Sequence, residues 1–230
     1  MKIAIISDIH GNFDALSAFS ESYDELWVLG DLVNYGPQPA EVIEYVRARA
    51  TIAIKGNHDQ AVGYGDDPHC VPPFREIAAE TQKITEELLN QDQKAYLRSL
   101  PRSLRLTRQQ TSFFLCHATP SNPLYGYCEA NSPGWTKASN EVRADVLLAG
   151  HTHVQFIQRI GDRVVANPGS LGQSMSGGAD GRYAIWENGI VTLHRMAYPV
   201  EHTVQKLQSL SLSRPVLAKL TKLLEGGALS

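Results

Sequence analysis

The sequence predicts an α/β fold in which two β-sheets pack together with helices on the outside. Three features carry that expectation. Five short apolar runs alternate with segments of helical period, and a closely spaced set of strand-like runs follows them. The chain is also long enough, at 230 residues with 43% hydrophobic and 20% charged, to bury one sizeable core.

Taken in order, Ile3 to Ile6 reads as the first strand. Asn12 is placed to cap a helix carrying Phe13, Leu16 and Phe19, because its side chain can accept from the free amides of a first turn. The second strand, Leu26 to Leu29, leads to a helix opened by Pro39, with Val42, Ile43 and Val46 as its buried stripe. Ile52 to Ile54 is the third strand. From Phe74 to Leu89 the period predicts a longer helix with Ile77, Ile84 and Leu88 on one face, and a helical piece from Ala95 to Leu100 stops at Pro101. Phe113 to Cys116 and Val146 to Ala149 complete the alternating part. Arg163 to Ala166, Arg182 to Trp186 and Ile190 to Arg195 then read as a meander with Gly- and Asn-rich turns, and helical stretches near Val200 to Leu210 and Pro215 to Leu224 follow. There is no internal repeat, low-complexity tract or evident linker.

Composition excludes several classes of function. The formal net charge is -3, so no basic surplus supports nucleic-acid backbone binding, and phosphate recognition would have to come from a local site. Cys70, Cys116 and Cys128 are odd in number and lack CxxC spacing, which disfavours a disulfide framework or thiolate zinc site and favours a reducing compartment. The apolar run after Met1-Lys2 is too short for a signal peptide, and no run approaches membrane-spanning length. A soluble, cytoplasmic protein with no membrane partner is expected.

The breaks after the five strands are the informative stretches. Ile6 is followed by Ser7-Asp8-Ile9-His10-Gly11-Asn12, Leu29 by Gly30-Asp31-Leu32-Val33-Asn34, and Ile54 by Lys55-Gly56-Asn57-His58-Asp59. Cys116 is followed by His117, and Ala149 by Gly150-His151-Thr152-His153. In open α/β sheets, ligands bind beyond the carboxyl ends of the strands, where each of these groups falls. Asp8 and His10, two apart, would share a face in a continuing strand, as would His151 and His153. Carboxylate, imidazole and the Asn57 amide oxygen, without thiolate, form a donor set suited to manganese, iron, cobalt, nickel or zinc. Asp8, His10, Asp31, Asn57, His117, His151 and His153 are too many for one ion and about right for two sharing a carboxylate.

These motifs, Asp8-x-His10, Gly30-Asp31-x-x-Asn34, Gly56-Asn57-His58-Asp59, His117 and Gly150-His151-x-His153, in that order, resemble the calcineurin-like metallophosphoesterase superfamily, and the length fits its small bacterial and archaeal phosphodiesterases. The resemblance spans about residues 1–195 and leaves 196–230 as a C-terminal helical extension packed on or near the core. It implies a four-layer αββα sandwich of two mostly mixed sheets, with two divalent transition metals, manganese foremost, at the sheet edge. It further implies Asp8, His10 and His153 on one metal, Asn57, His117 and His151 on the other, and Asp31 bridging. His58 matches a residue that such enzymes place beside the leaving oxygen as a general acid or transition-state donor, which suits an imidazole near neutral pH. The implied reaction is in-line attack of a metal-bridging hydroxide on a phosphodiester or phosphoanhydride. Gly30-Asp31-Leu32-Val33-Asn34-Tyr35-Gly36-Pro37 is similar to a motif of dinucleoside tetraphosphate hydrolases, which points to a nucleotide substrate. The alternative is a catalytically silent scaffold for protein–protein interaction, as in the retromer subunit of the same fold, although a scaffold need not keep His58.

Loops rich in Pro, Gly, Tyr and Asn, Tyr64 to Phe74 and Thr119 to Trp135, adjoin these motifs and are expected to lie over the site. Asn34, Tyr35, Asn122 and Tyr125 are the candidate substrate contacts, with Tyr64 and Tyr127 also available to stack a base. His69, His194 and His202 lack a matching spacing and read as surface or ordinary hydrogen-bonding groups. Cys116 reads as a buried strand residue, Asp59 as a support or cap beside the centre, and Asn167-Pro168-Gly169-Ser170 as a structural turn. Gly172 to Gly181 reads as a flexible surface loop without the context of a P-loop.

Overall fold

The protein is described by a computed structural model covering residues 1–175 and 177–228. Ser176 in the Gly-rich stretch and the last two residues of the C-terminal segment lie outside the described residues. The elements run β1 (Lys2–Ile6), α1 (Phe13–Ala18), β2 (Glu25–Val28), α2 (Pro39–Arg49), β3 (Ile52–Ala53), α3 (Asn57–Tyr64), α4 (Pro72–Leu88), α5 (Gln91–Ser99), β4 (Ser103–Arg108), β5 (Thr111–Cys116), α6 (Pro133–Val142), β6 (Val146–Leu148), β7 (Phe156–Ile160), β8 (Arg163–Asn167), β9 (Asp180–Glu187), β10 (Ile190–Ala197), α7 (Val200–Gln208) and α8 (Arg214–Leu224).

Two mixed five-stranded sheets result, in the orders β10-β9-β1-β2-β3 and β4-β5-β6-β8-β7. In one sheet β1, β2 and β3 run parallel, with β3 at the edge and the antiparallel β9–β10 pair on the other side of β1; in the other, β5, β6 and β8 run parallel between antiparallel edge strands β4 and β7. Alternation along β1 sorts its side chains between two cores. Ile3 and Ile5 face the second sheet, where Trp27, Phe113 and Trp186 fill the interlayer space. Ala4 and Ile6 face outward onto Leu16, Val42, Ile43 and Val46 of α1 and α2. A third cluster packs Trp135 and Ala138 of α6 on the outer face of the second sheet. Helix, sheet, sheet, helix is therefore the layer order.

The departures from the sequence pattern have physical causes. The meander is split: β8 pairs with β6 and β7 in one sheet, while β9 and β10 form a hairpin on β1 in the other. Residues 168–179, too long for a hairpin turn, carry the chain between sheets. Two edge strands, β4 and β7, escape an apolar-run reading because each is laced with exposed arginine, Arg105 and Arg159, which is how edges resist pairing. In α4 the buried stripe is Ile77, Ala78, Thr81 and Thr85 rather than the expected one, and Leu88 is 45% exposed. Asn57 does not sit in a turn but opens α3, and α6, anchored by Trp135, Ala138 and Val142, begins inside the stretch Thr119 to Trp135 read as loop and runs on beyond it.

Beyond β10, α7 is bonded to the α1 start. Thr203 donates to Asn12 Oδ1 (3.0 Å) and Asp14 Oδ2 (3.1 Å), and Lys206 Nζ donates to Asp14 Oδ1 at 2.6 Å. Helix α8 packs Val216, Leu220 and Leu223 on Ile77 of α4 and on Tyr35. Among the described residues, no helix is long and apolar enough to cross a membrane.

Phe113 is fully buried and edge-on to Trp27 (4.9 Å) and Trp186 (5.3 Å). Phe113→Ala is expected to lower unfolding free energy by about 3–5 kcal/mol, while Phe113→Leu loses much less. Urea titrations of the two variants measure the gap, and equal losses would mean that the interlayer core does not carry the stability assigned to it.

Candidate metal centre

Each parallel strand ends in a tight loop that swings a polar side chain back over the sheet edge. The backbone pays for this in conformation: seven of the thirteen non-glycine residues with positive φ among the described residues are Asp8, His10, Asp31, Asn34, Tyr35, His151 and His153. Left-handed conformations are disfavoured for such residues and concentrate at functional sites. Two glycines make the loops interlock. A Cβ on Gly56 would collide with the Asp31 carboxylate and amide, and one on Gly30, at φ +95°, would lie 2.5 Å from Gly56 N.

The seven candidate donors of the sequence reading converge. Asp8, His10 and His153 present ligand atoms within 4.8 Å of one another, as do Asp31, His117 and His151. In the first group His153 Nε2 is 3.3 Å from Asp8 Oδ1 and 3.1 Å from His10 Nε2. In the second, Asn57 Oδ1 lies 3.1 Å from both His117 Nε2 and His151 Nδ1. Asp31 Oδ2 stands between the groups, 3.2 Å from His117 Nε2 and 3.8 Å from His10 Nε2. All but His151 are essentially without solvent exposure.

The surroundings hold these atoms in place. The Nδ1 atoms of His10, His117 and His153 face the carbonyls of Val33 (3.1 Å), Leu29 (2.8 Å) and Gln173 (2.7 Å), so those nitrogens donate and the Nε2 atoms turn inward. Such outer hydrogen bonds fix the tautomer that can bind a cation. Asp59 accepts from the amides of Asp31 (2.8 Å), Leu32 (2.8 Å) and Gly56 (2.9 Å), pinning two motif loops together. In the expected structural turn, Ser170 Oγ donates to the Asp8 carbonyl (2.7 Å) and Asn167 Nδ2 to the Gly150 carbonyl (2.7 Å). Asn12 caps α1 as anticipated, accepting from Ala15 N at 3.0 Å.

Electrostatically the centre demands positive charge. Burial opposes ionisation of Asp8, yet His153 and His117 hold its carboxyl down to about 2, and Asp31 is lowered as well by His117 and His58. Conversely, burial disfavours charge on His117, but Asp31 and Asp8 draw it up to about 10. Burial prevails at His10, pushed down to about 3, and at His151, pushed down to about 4. A metal cation meets the same demand as those protons. Among the described residues, Asp8 Oδ1 is buried and receives no hydrogen bond, an orphaned acceptor of the kind a cation satisfies. Oxygen and imidazole donors without thiolate fit divalent transition metals.

His58 lies beside the two groups, on the first turn of α3. Its backbone N donates to Asp31 Oδ1 (2.9 Å), its Nδ1 meets Asn34 Nδ2 (2.9 Å), and its Nε2 faces Cys70 Sγ (3.5 Å). Burial lowers its pKa. With Asn34 donating to Nδ1, the ring proton sits on Nε2, toward the open side.

That side is a cleft of about 140 Å³ lined by Asp31, Asn57, His58, His151 and His153 at its floor. The candidate substrate contacts divide. Tyr35 lines the cleft but is 4% exposed, its ring packed against those of His10 (4.6 Å) and His58 (4.8 Å), which also meet each other at 5.1 Å. Asn34 is buried and engaged with His58. Neither Asn122, exposed on the turn bonded to Thr119, nor Tyr125, edge-on to His69 at 4.9 Å, is among the residues lining the cleft. Tyr64 stacks over Lys55 instead (4.8 Å). The cleft walls come from Val71, Phe74, Tyr127 and Met175, together with His69 and Cys70. His69 is exposed, as its surface reading expects, and lies on the rim of the cleft. Only loop composition, not spacing, signalled these residues.

A sequence profile of the calcineurin-like phosphoesterase superfamily domain matches residues 1–188, and the chain belongs to that superfamily. It is 25% identical over 228 residues to an uncharacterised protein of Methanocaldococcus jannaschii, covering 89% of this chain and 91% of that one. The solved structure of a metallophosphoesterase from Sphaerobacter thermophilus is similar, with TM-score 0.80 and 29% identity over 96% of this chain and 98% of that one. A hypothetical protein from Pyrococcus horikoshii shares the fold, with TM-score 0.84 and 22% identity, covering 100% of this chain and 99% of that one. A symmetrical bis(5'-nucleosyl)-tetraphosphatase of Vibrio parahaemolyticus is 34% identical over 134 residues, 51% of this chain. That match spans only 44% of the tetraphosphatase.

Asp59→Ala strips three buried amides of their acceptor, and each unsatisfied donor costs about 1–3 kcal/mol. A stability loss of at least about 2 kcal/mol on this basis is expected by urea denaturation. A loss near zero would show that the loops hold without Asp59.

Proposed function

We propose that the chain is a metal-dependent phosphoesterase that hydrolyses a phosphodiester or phosphoanhydride bond in a small phosphate ester or nucleotide. The observation that carries this is the pair of buried donor groups sharing Asp31. Asp8, His10 and His153 would hold one divalent transition metal and Asn57, His117 and His151 the other, with Asp31 common to both and manganese the foremost choice. Two such ions supply a hydroxide nucleophile near neutral pH and neutralise phosphoryl oxygens.

The protein's own groups do the rest. His58, with its Nε2 toward the cleft, donates to the departing oxygen or to the phosphoryl group, and Asn34 orients it through Nδ1. Tyr35 packs against both His10 and His58, whose rings also meet each other at 5.1 Å, and so backs the donor and the metal group together. Residues 1–195 act as the catalytic unit, and 196–230 as a helical extension that braces the loop after β1 through Thr203 and Tyr198. Three unpaired cysteines fit the expected cytoplasmic setting.

The test is hydrolysis of bis(p-nitrophenyl) phosphate by metal-stripped protein with manganese, iron, cobalt, nickel, zinc or magnesium restored. Turnover is expected only with a restored transition metal, and His58→Ala is expected to slow it roughly 10²–10⁴-fold, the usual worth of a positioned proton donor. Metal-independent turnover, or none with two metals bound per chain, would overturn the reading and favour a scaffold. Separately, Asp31→Ala is expected to reduce the metal content of purified protein below that of Asp8→Ala, because this reading assigns Asp31 to both metals and Asp8 to one; elemental analysis reads the difference.

A further inference from the structure

The cleft beside the metal centre differs in character from its floor. Its walls are apolar and aromatic: Val71 and Phe74 at the start of α4, Tyr127 from the loop before α6, and Met175. Tyr127 is 65% exposed and Val71 52% exposed, so both present surface to a bound group. Tyr127 also sits with its ring centroid 6.5 Å from that of His151, at the edge of the reacting region. Among the described residues lining this cleft there is no lysine and no arginine.

That absence bears on the substrate. A polyphosphate chain carries charge on every phosphate, and proteins meet such charges with Arg and Lys donors. Arg75 and Lys83, close to Cys70 in the fold, do not line the cleft. Arg75 turns away to donate to the Cys70 carbonyl (3.1 Å). With Lys83 it lines a separate cavity, where Asp67 and Glu86 offset their charge. Phosphate recognition is thereby confined to the metal centre and His58, enough for one phosphoryl group. The walls offer van der Waals area and the face of an aromatic ring, which suit a flat apolar substituent.

We infer that the substrate is a singly charged phosphodiester bearing a flat aromatic substituent, held between Tyr127 and the Val71–Phe74 wall, rather than a dinucleoside polyphosphate. The inference rests on the phosphoesterase reading and narrows it. A diester presents one negative charge to the centre, and its ring covers the apolar surface that is otherwise exposed. A polyphosphate would place its remaining phosphates against Val71, Phe74 and Tyr127, where desolvation goes uncompensated.

The test compares the p-nitrophenyl ester of thymidine 5'-monophosphate with diadenosine tetraphosphate, using manganese-loaded full-length protein for turnover and manganese-loaded His58→Ala protein for calorimetric binding. The aromatic diester is expected to be preferred at least 100-fold in kcat/KM and to bind more tightly. Tyr127→Ala is expected to raise KM for the diester roughly tenfold with little change in kcat, and Tyr127→Phe to restore it, because the ring face and not the hydroxyl makes the contact. Val71→Arg is expected to improve binding of the tetraphosphate. Tetraphosphate bound or cleaved as well as the diester by the unaltered protein would overturn this inference and leave the phosphoesterase reading standing. Absence of all turnover would overturn that reading instead, while the binding comparison still scores the preference. A KM for the diester indifferent to Tyr127→Ala would remove the proposed wall.

Discussion

Two carboxylates buried side by side govern this molecule. Asp8 and Asp31 are each about 1% exposed or less, and a buried charge without compensation is penalised by several kcal/mol in order of magnitude. Everything around them supplies compensation. Five imidazoles crowd the pair, His58 also lends its amide to Asp31, and His151 lends its amide to Asp8 Oδ2 at 3.2 Å. The His117 pKa, drawn up to about 10, measures how strongly the pair attracts positive charge. A site of this kind stays ordered only when cations, as protons or as metals, sit among the carboxylates.

Holding that charge in place explains the unusual backbone. Two parallel three-strand units deliver their C-terminal ends to one edge of the sandwich, and the loops from both sheets must interdigitate there. Asp8 N bonds to the Gly30 carbonyl at 3.0 Å and Gly150 N to the His117 carbonyl at 2.7 Å, so adjacent motifs are stitched by main chain. Left-handed residues are the consequence: only sharp reversals bring Asp8, Asp31, His151 and His153 back over the sheet ends. The strain is offset by hydrogen bonds to fixed carbonyls and amides, Asp59 holding three of them. The function of the motifs and the geometry of their turns are therefore one requirement, not two.

How much of this was legible in the sequence follows from what each feature depends on. The inner strands are apolar runs, and the donors follow them directly, so Asp8, His10, Asp31, Asn57, His117, His151 and His153 were visible as a set. The layer order followed from strands alternating with helices and then a run of strands, and the family resemblance agreed with it. The edge strands β4 and β7 were hidden because solvent-facing arginines break the apolar pattern, and α6 because its anchors, Trp135, Ala138 and Val142, are thinly spaced among polar residues. The split of the apparent meander depends on which sheet accepts β8, a long-range choice with no local signal. Substrate contacts were the least legible: Asn122 and Tyr125 share a tyrosine-rich loop with Tyr127, and only the path of that loop decides which of them faces the cleft.

The C-terminal helices show why the boundary of the motif region is not the boundary of the site. Residues beyond 188 fall outside the family match, yet Tyr198 accepts a hydrogen bond from Asn12 at 3.2 Å, and Thr203 donates to the same amide. Asn12 in turn donates to the Gly172 carbonyl at 2.7 Å, in the segment whose Gln173 carbonyl accepts from His153. Leu207, Leu220 and Leu224 pack in one cluster with Tyr35, whose ring meets both His10 and His58, themselves edge-on to each other at 5.1 Å. A chain of packed and hydrogen-bonded groups thus runs from α7 and α8 to both the charged centre and its neighbouring imidazole. Tyr35 is consequently better understood as a packing support than as a substrate contact: its ring is buried against the two histidines, whereas that of Tyr127 is 65% exposed.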